Sequence, residues 1–344
     1  MSHYTICIDI GGTFTDCLVE DADGGHHIFK APTTPGEFQN GFMDSLALAA
    51  AHFGLGLDAF LTATSRIVHG STVSTNALVE GKVARTGLLC NQGHEDVLVL
   101  REALPKPVFS WRLDFPEPFI PKGFTACIRG RLDARGTEIE PLCEDDVRAA
   151  VAEMREAGLQ TIGVAFLWSV VNNAHELRTR DIIREFWPDV PVTLSHEVNP
   201  VGREYRRTIA TVIDASLQPI VSRYITKLLD ALKAAGYCNE LLLANCVGGM
   251  MPPGELIDRP IYSVMSGPTL APVAARRLLQ CQNVIVADMG GTTFDVSAIR
   301  DGKLIVSREA TIGPDLLGIS KIDVRSAGAG GGSIAQVDAG GMLR

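Results

Sequence analysis

Two stretches of this 344-residue chain decide how it reads: ICIDIGGTFTD (Ile6–Asp16) and IVADMGGTTFD (Ile285–Asp295). They align without a gap, and Ile, Asp, Gly, Gly, Thr and Asp recur at the same offsets behind an apolar strand. Each continues into a meander. In the first, Tyr4–Ile10 and Thr13–Val19 read as strands around Gly11 and Gly12, and a turn at Asp23, Gly24 and Gly25 leads to a third at His27–Lys30. In the second, Phe294–Ile299 turns at Asp301 and Gly302 into Lys303–Arg308. Agreement at the hairpin, the flanking strands and the third strand marks a duplicated unit, not two chance glycine turns.

The shared Asp-x-Gly-Gly-Thr pattern between two strands carries a specific chemistry. Glycines let the backbone approach a ligand closely and adopt positive φ. Their amides, with the threonine hydroxyls, make a concave donor set for phosphate oxygens. An aspartate ending the first strand suits Mg²⁺, a small hard cation that prefers oxygen ligands and keeps part of its water. Two such hairpins facing each other would clamp a polyphosphate from both sides. Neither a GxxxxGK[ST] loop nor a dinucleotide fingerprint in the right context is present. A third cluster, GAGGGS at Gly328–Ser333, reads equally as a cleft lining and as a plain turn.

Outward from the hairpins the chain alternates strand and helix. Thr33 and Thr34 precede Pro35 at a first helical position, and Phe38, Phe42, Leu46 and Ala49 follow at helical spacing. Extended segments are expected at Arg66–Gly70, Arg85–Cys90, Thr161–Trp168, Val190–Leu194 and Leu241–Cys246. Helices are expected at Thr72–Glu80, Glu144–Ala157, Ala174–Phe186 and Thr269–Leu279, with a long one from Arg203 to Ala235 broken or kinked at Pro219. Five prolines make Leu104–Phe124 an irregular excursion. This rhythm predicts an α/β fold, and the length about two domains at roughly 150 residues each.

Composition narrows the function. With 46% hydrophobic and 21% charged residues, the chain has ordinary globular material for a core. No apolar run approaches the roughly 18 residues of a membrane helix, and the N-terminus reads as a strand instead of a leader, so a cytoplasmic location is expected. A net charge of −9 without a basic stripe disfavours nucleic acid. Eight cysteines without a CxxC pair read as reduced and mostly buried. His196 and Glu197 lack the second histidine four residues on that a helical zinc motif needs.

At this point the motifs reach a known family. The chain resembles the hydantoinase A/5-oxoprolinase group, which includes the HyuA-like subunits of acetone and acetophenone carboxylases. The resemblance is carried, in order, by Asp9–Asp16, His69–Leu78, Leu194–Val198 with Arg203–Tyr205, Ser266–Pro268, Asp288–Ser297 and Gly328–Ala335, so it covers essentially the whole chain. It implies the actin/Hsp70/sugar-kinase-type fold, two ribonuclease-H-like domains with ATP between them. The expected division is 1–195, the first such domain with its phosphate hairpin, and 196–344, the start of the second. The stretch 269–273 departs from the family's usual small residues after Ser266–Pro268. Residues 317–325 lean toward the ketone-carboxylase branch. Members of the family run about twice as far, so the second domain is expected to be incomplete here. It would be completed by the rest of a longer chain or by another subunit, with core surface and sheet edge exposed.

The resemblance further implies ATP-dependent activation of a small carbonyl substrate. The γ-phosphoryl group would pass to an amide or enolate oxygen before ring hydrolysis or carboxylation, in a hetero-oligomer with a HyuB-like partner. Asp9 and Asp288 become the catalytic and metal-side carboxylates for Mg²⁺. Gly11, Gly12, Thr13, Thr15, Gly290, Gly291, Thr292 and Thr293 become ATP phosphate contacts, with Gly330 and Gly331 beside them. Asp16 and Asp295 either join them or hold their hairpins by hydrogen bonds. His69, Thr72 and Asn76, where a strand passes into a helix, are candidate substrate-side residues, although a lone histidine is more often structural. Two other classes share such hairpins: a non-enzymatic ATP switch of the actin or chaperone kind, and a small-molecule kinase.

Overall fold

The computed structural model describes residues 3–34, 36–102, 117–291 and 293–342, and the statements below concern those residues. Pro35, most of the proline-rich excursion and Thr292 lie outside them. The first meander forms as expected: β1 (Tyr4–Ile10), β2 (Phe14–Glu20) and β3 (His26–Pro32) pair antiparallel in chain order. Strict alternation sorts the side chains. Ile6, Ile8 and Ile10 of β1 and Thr15, Cys17 and Val19 of β2 face the core, which leaves Asp9 and Asp16, register partners, on the open face. On the other side of β1, β4 (Thr64–Ser71) runs parallel to it, after α1 (Phe38–His52) and α2 (Leu57–Thr62). Phe42, Leu46 and Ala49 of α1 cover the apolar face of this sheet. β4 leads directly into α3 (Val73–Val79).

Residues 86–194 build a separate sheet. β5 (Thr86–Asn91), β6 (Thr125–Ile128), β9 (Thr161–Ala165) and β10 (Val192–Leu194) are parallel, in the order β10-β9-β5-β6. A small hairpin, β7 (Arg131–Leu132) with β8 (Glu138–Glu140), follows β6. The one-turn α4 (Val97–Leu100) follows β5, and α5 (Glu144–Glu156) and α6 (Ala174–Phe186) pack on the sheet through Val147, Val151, Ile182 and Ile183. Every residue of β5 and of β9 is buried, as expected of parallel strands covered on both faces.

After the short α7 (Ser195–Val198), α8 (Glu204–Ala234) runs as one 31-residue helix straight through Pro219. From Arg207 to Leu217 every residue of α8 is buried. A helix without a polar face must lie inside the protein, and α8 packs against β5, β9 and β10 of the 86–194 sheet and against α1 and α3, while its Tyr224 reaches His69 of β4 in the first sheet. The chain then returns to the first sheet. β11 (Glu240–Ala244) lies parallel to β4, and β12 (Met250–Met251) pairs with β11, giving the order β12-β11-β4-β1-β2-β3. A strand from the second segment completes the sheet of the first hairpin, and 86–194 form their own layer.

Next come α9 (Pro253–Asp258) and α10 (Ser266–Leu278), then the second repeat. β13 (Val284–Met289) and β14 (Phe294–Arg300) pair in the same register as β1 and β2, with Asp288 opposite Asp295. The expected third strand at Lys303–Arg308 is divided. β15 (Lys303–Leu304) pairs with the end of β14, whereas β16 (Val306–Ser307) leaves to pair with β19 (Lys321–Ile322). A small hairpin, β17 (Thr311–Ile312) with β18 (Asp315–Leu316), lies between them. The vacated edge of β14 is filled by β20 (Val324–Ala327).

One buried acid makes a pH-dependent contribution. Asp214 of α8 is fully buried, accepts the Ile261 N–H at 3.0 Å and the Thr193 hydroxyl at 3.2 Å, and so ties α8 to β10 and to the 260–263 turn. Loss of hydration pushes its pKa up to about 8. The folded chain then keeps a proton that the unfolded chain releases near the ordinary value of about 4, so stability falls as pH rises from about 4 to about 8 and levels above. Asp214→Asn keeps the bond from Ile261 N–H and can donate its amide N–H to the Thr193 hydroxyl in place of the second, and is expected to flatten that decline. Denaturant midpoints between pH 5 and 9 check this, and an unchanged slope would contradict it.

Candidate functional site

The site starts from the two turns. In each repeat the first glycine closes the hairpin with the same bond: Gly11 N–H to Phe14 O and Gly290 N–H to Thr293 O, both 2.9 Å. These amides are thus engaged in closing the turns. The amides of Gly12, Thr13 and Gly291 donate to no acceptor among the described residues, which leaves them at the tips. Nor do the four hairpin glycines adopt positive φ as expected. Their value is close approach: a Cβ on Gly11 would press on Phe14 O at 3.1 Å, and Gly12 faces open space.

The repeats face one another. The hydroxyl of Thr13 lies 3.7 Å from where a Cβ of Gly291 would sit. The third glycine cluster is tied to the second hairpin, with Gly331 N–H bonded to Gly290 O (2.9 Å) and Gly332 N–H to Gly291 O (3.2 Å). The cluster thus lies against the tip of the second hairpin.

Asp9 stands at the centre. The residue is open to solvent at the cleft, but its carboxyl is tucked against two glycines: a Cβ on Gly70 would lie 2.7 Å from Asp9 Oδ1, and one on Gly267 3.2 Å. Loss of hydration, then the charges of Asp16 and Asp288, push its pKa up to about 6. Both aspartates of the repeat thus converge on one region of negative charge. Asp9 and Asp288 offer two hard oxygen ligands whose repulsion a divalent cation would relieve, with phosphate and water left to complete its shell.

The remaining candidates divide. Asp16 pairs with Lys30 of β3 at 3.1 Å, and Asp295 contacts the Ser326 hydroxyl of β20. In each repeat the second aspartate thus clips its hairpin to the next strand. Thr293 is exposed at its tip. Thr15 corrects the expectation of a phosphate contact: it is fully buried, with its hydroxyl 3.1 Å from that of Thr33. His69 corrects likewise. It is buried, its Nδ1 bonds Ile8 O (3.1 Å), its Nε2 bonds the Tyr224 hydroxyl (2.6 Å), and Phe42 stacks edge-on against it. Burial pulls its pKa down to about 4, so it stays neutral. Both ring nitrogens are spent on the core. Thr72 donates to Ile10 O (3.1 Å) and receives a bond from Asn76 Nδ2 (3.3 Å), so this pair braces the end of β1 behind Asp9.

The 194–205 motif is structural. Buried Glu176 receives the Ser195 hydroxyl (2.5 Å), the Phe166 N–H (2.9 Å) and the His196 N–H (3.2 Å), with His196 Nδ1 at 2.6 Å. Arg207, also buried, bonds Ser195 Oγ (3.1 Å), Val201 O (2.6 Å) and Phe166 O (2.9 Å). This network pins α6, α7 and the end of β9 to α8. Among the described residues no group of three or more histidine, cysteine, aspartate or glutamate side chains is arranged to hold a metal ion. All eight cysteines are free, and only Cys17, Cys90 and Cys246 are buried, fewer than expected. Sequence reasoning missed Gly70 and Gly267 as site residues, although both lie inside motifs it singled out.

This is the geometry of an actin-like ATPase fold, with duplicated hairpins across a cleft. The chain belongs to the hydantoinase/oxoprolinase family: residues 5–187 match its N-terminal region and residues 207–344 the following hydantoinase/oxoprolinase region. It is 35% identical to the caprolactamase subunit alpha of Pseudomonas jessenii over 99% of this chain and 50% of that protein. The acetophenone carboxylase gamma subunit of Aromatoleum aromaticum is 33% identical over 98% and 48%. A nucleotide-free structure of acetone carboxylase, described as ATP-dependent, superposes with a TM-score of 0.87 at 27% identity, covering 100% of this chain and 51% of that one. The crystal structure of the ATP-dependent caprolactamase from P. jessenii gives 0.85 at 35%, covering 99% and 50%. The chain spans about half the length of these relatives. Among the described residues no helix is long and apolar enough to cross a membrane.

Proposed function

We propose that the chain is the ATP-binding part of an enzyme that activates a small carbonyl compound, a cyclic amide or a ketone, by phosphorylating its oxygen before ring hydrolysis or carboxylation. The observation that carries this reading is the convergence of the two hairpin tips with Asp9 and Asp288. Mg-ATP, when bound, supplies the transferable phosphoryl group and the charge neutralisation its transfer needs. The residues supply position. The free amides of Gly12, Thr13 and Gly291, with the hydroxyls of Thr13 and Thr293, would hold phosphate oxygens from both sides. Asp9 and Asp288 would hold the cation, while Asp16 and Asp295 keep each hairpin on its sheet. Thr72 and Asn76 fix the end of β1 on which Asp9 stands.

The second repeat also supports completion by further polypeptide or a partner subunit. Ile6 and Ile10 are fully buried, but Ile285 and Met289, their counterparts, are 78% and 64% exposed. An apolar strand face bared to that extent is a docking surface or an aggregation hazard.

The test is ATP hydrolysis by the native protein with Mg²⁺, alone and with 5-oxoproline, hydantoin, a lactam, and acetone or acetophenone with bicarbonate. Stimulation by one compound without release of a phosphorylated product is the expected result. Turnover indifferent to all of them would favour an ATP switch, and a released phosphorylated product a kinase.

A further inference from the structure

A second polar feature lies beside the cleft and is used by none of the roles above. Lys321 on β19 is only 2% exposed, yet the one hydrogen bond its ammonium makes among the described residues is a long one, 3.4 Å to Ile322 O. An ammonium taken out of water with one long hydrogen bond and no close carboxylate is costly to bury. Two acids, Glu309 and Asp323, line the same cavity, and Asp323 and Asp295 act on the ammonium through space, but none is hydrogen-bonded to it among the described residues. Asp323 pairs with Arg325 at 3.6 Å, Glu309 with Arg206 at 2.7 Å, and Asp295 contacts Ser326.

Lys321 lines a cavity of about 390 Å³ whose walls include Met265, Ala310, Thr311 and Ser326. Two of these walls belong to the cleft. Met265 directly precedes the Ser266–Gly267 segment that packs on Asp9, and Ser326 touches Asp295, the register partner of Asp288. Met265 holds a left-handed conformation (φ 57°), and its N–H is fixed by the Thr75 hydroxyl at 2.8 Å, so the wall is built and not incidental. The volume suits a small molecule, and the under-satisfied ammonium, with Arg325 also on the wall to offset Glu309 and Asp323, suits an anionic oxygen.

We propose that this cavity is a substrate subsite in which Lys321 binds a carboxylate-type oxyanion. The anion is either a carboxylate carried by a small cyclic amide or free bicarbonate. Naming the occupant as substrate rests on the reading of the cleft as a phosphoryl-transfer site; the anion-binding assignment itself rests on the cavity and its lysine. The amide and ketone carbonyls would then lie toward the hairpins, with the anionic end held at Lys321.

The experiment is equilibrium binding to the native protein by calorimetry, without turnover. The probes are 5-oxoproline, its counterpart without the carboxylate, 2-pyrrolidinone, and bicarbonate. Wild-type protein is expected to bind 5-oxoproline or bicarbonate saturably, and Lys321→Met to weaken that binding at least tenfold. If 5-oxoproline is the ligand, 2-pyrrolidinone should bind at least tenfold more weakly and be indifferent to the substitution; if bicarbonate alone responds, free bicarbonate is the source. Thr311→Phe, at an exposed position on the cavity wall, leaves the lysine in the chain but fills the space, and should abolish binding of the same probe, which keeps the test open should Lys321→Met misfold. Failure of both anions to bind wild type, or unchanged affinity in either folded variant, would overturn the proposal. So would an equal loss of affinity for Mg²⁺ with a non-hydrolysable ATP analogue, which would assign the cavity to the nucleotide. A wild-type protein that binds 5-oxoproline without accelerated ATP hydrolysis would sink the carbonyl-activation reading and leave the anion subsite standing.

Discussion

Asp9→Asn is expected to lower Mg²⁺-dependent ATP hydrolysis by about 10²–10³-fold, the several kcal/mol that a well-placed metal-side carboxylate supplies at roughly tenfold per 1.4 kcal/mol. The same substitution should leave thermal stability unchanged or raise it. Asp9 is destabilised as an anion by loss of hydration and by Asp16 and Asp288, with its pKa pushed up to about 6. A raised acid costs stability as pH climbs from about 4 through 6, and asparagine removes that cost. Opposite signs for activity and stability distinguish a functional group from a structural one. Gly70→Ala should reproduce the activity loss, because its new Cβ would lie 2.7 Å from Asp9 Oδ1 and displace the carboxyl. Hydrolysis rates and melting curves on the three proteins decide the matter, and full activity in Asp9→Asn would contradict the assignment.

The second large effect concerns folding. Glu176→Ala or Arg207→Met should destabilise the chain by about 3–5 kcal/mol, because each leaves a buried charged group without its compensating network. Glu176 is fully buried and accepts bonds from Ser195, His196 and Phe166, and Arg207 reaches Ser195, Val201 and Phe166 from the opposite side. Loss of hydration pulls the Arg207 pKa down, so the charge is held at a cost that the network offsets. Denaturant unfolding of each single variant and the double variant measures this. A double variant less unstable than the sum of the singles is expected for residues that share Ser195 and Phe166 as partners. Singles within about 0.5 kcal/mol of wild type, the range of ordinary surface substitutions, would contradict it.

How far the molecule was legible depends on the range of the signal. The hairpins, the first meander and helices such as Ala174–Phe186 announce themselves locally through glycine turns and 3.6-residue spacing. The return of β11 to the first sheet does not. It pairs in parallel with a strand some 175 residues earlier, and parallel pairing leaves no local mark in sequence. Thr15 was readable after all: it is in phase with Cys17 and Val19 on the buried face of β2, and the alternation outweighs its resemblance to a phosphate-binding threonine. His69 lies in a motif but also in phase with Ile67 on β4, so burial was the stronger expectation. The division of the second meander's third strand depends on β20 arriving from twenty residues further on. Lys321, between Ser320 and Ile322 in a strand of two residues, carries no local mark of burial. Only the packing of β16, β19 and the 246 region around it shows that burial.

The central claim is that both repeats contribute to one Mg-ATP cleft, and equilibrium binding of a non-hydrolysable ATP analogue to the native protein tests it most directly. Binding that requires Mg²⁺, and that Asp9→Asn and Asp288→Asn each weaken at least tenfold, is the predicted result. Binding that persists when EDTA removes the metal, or that responds to one aspartate and ignores the other, would contradict a site built from the duplicated hairpins.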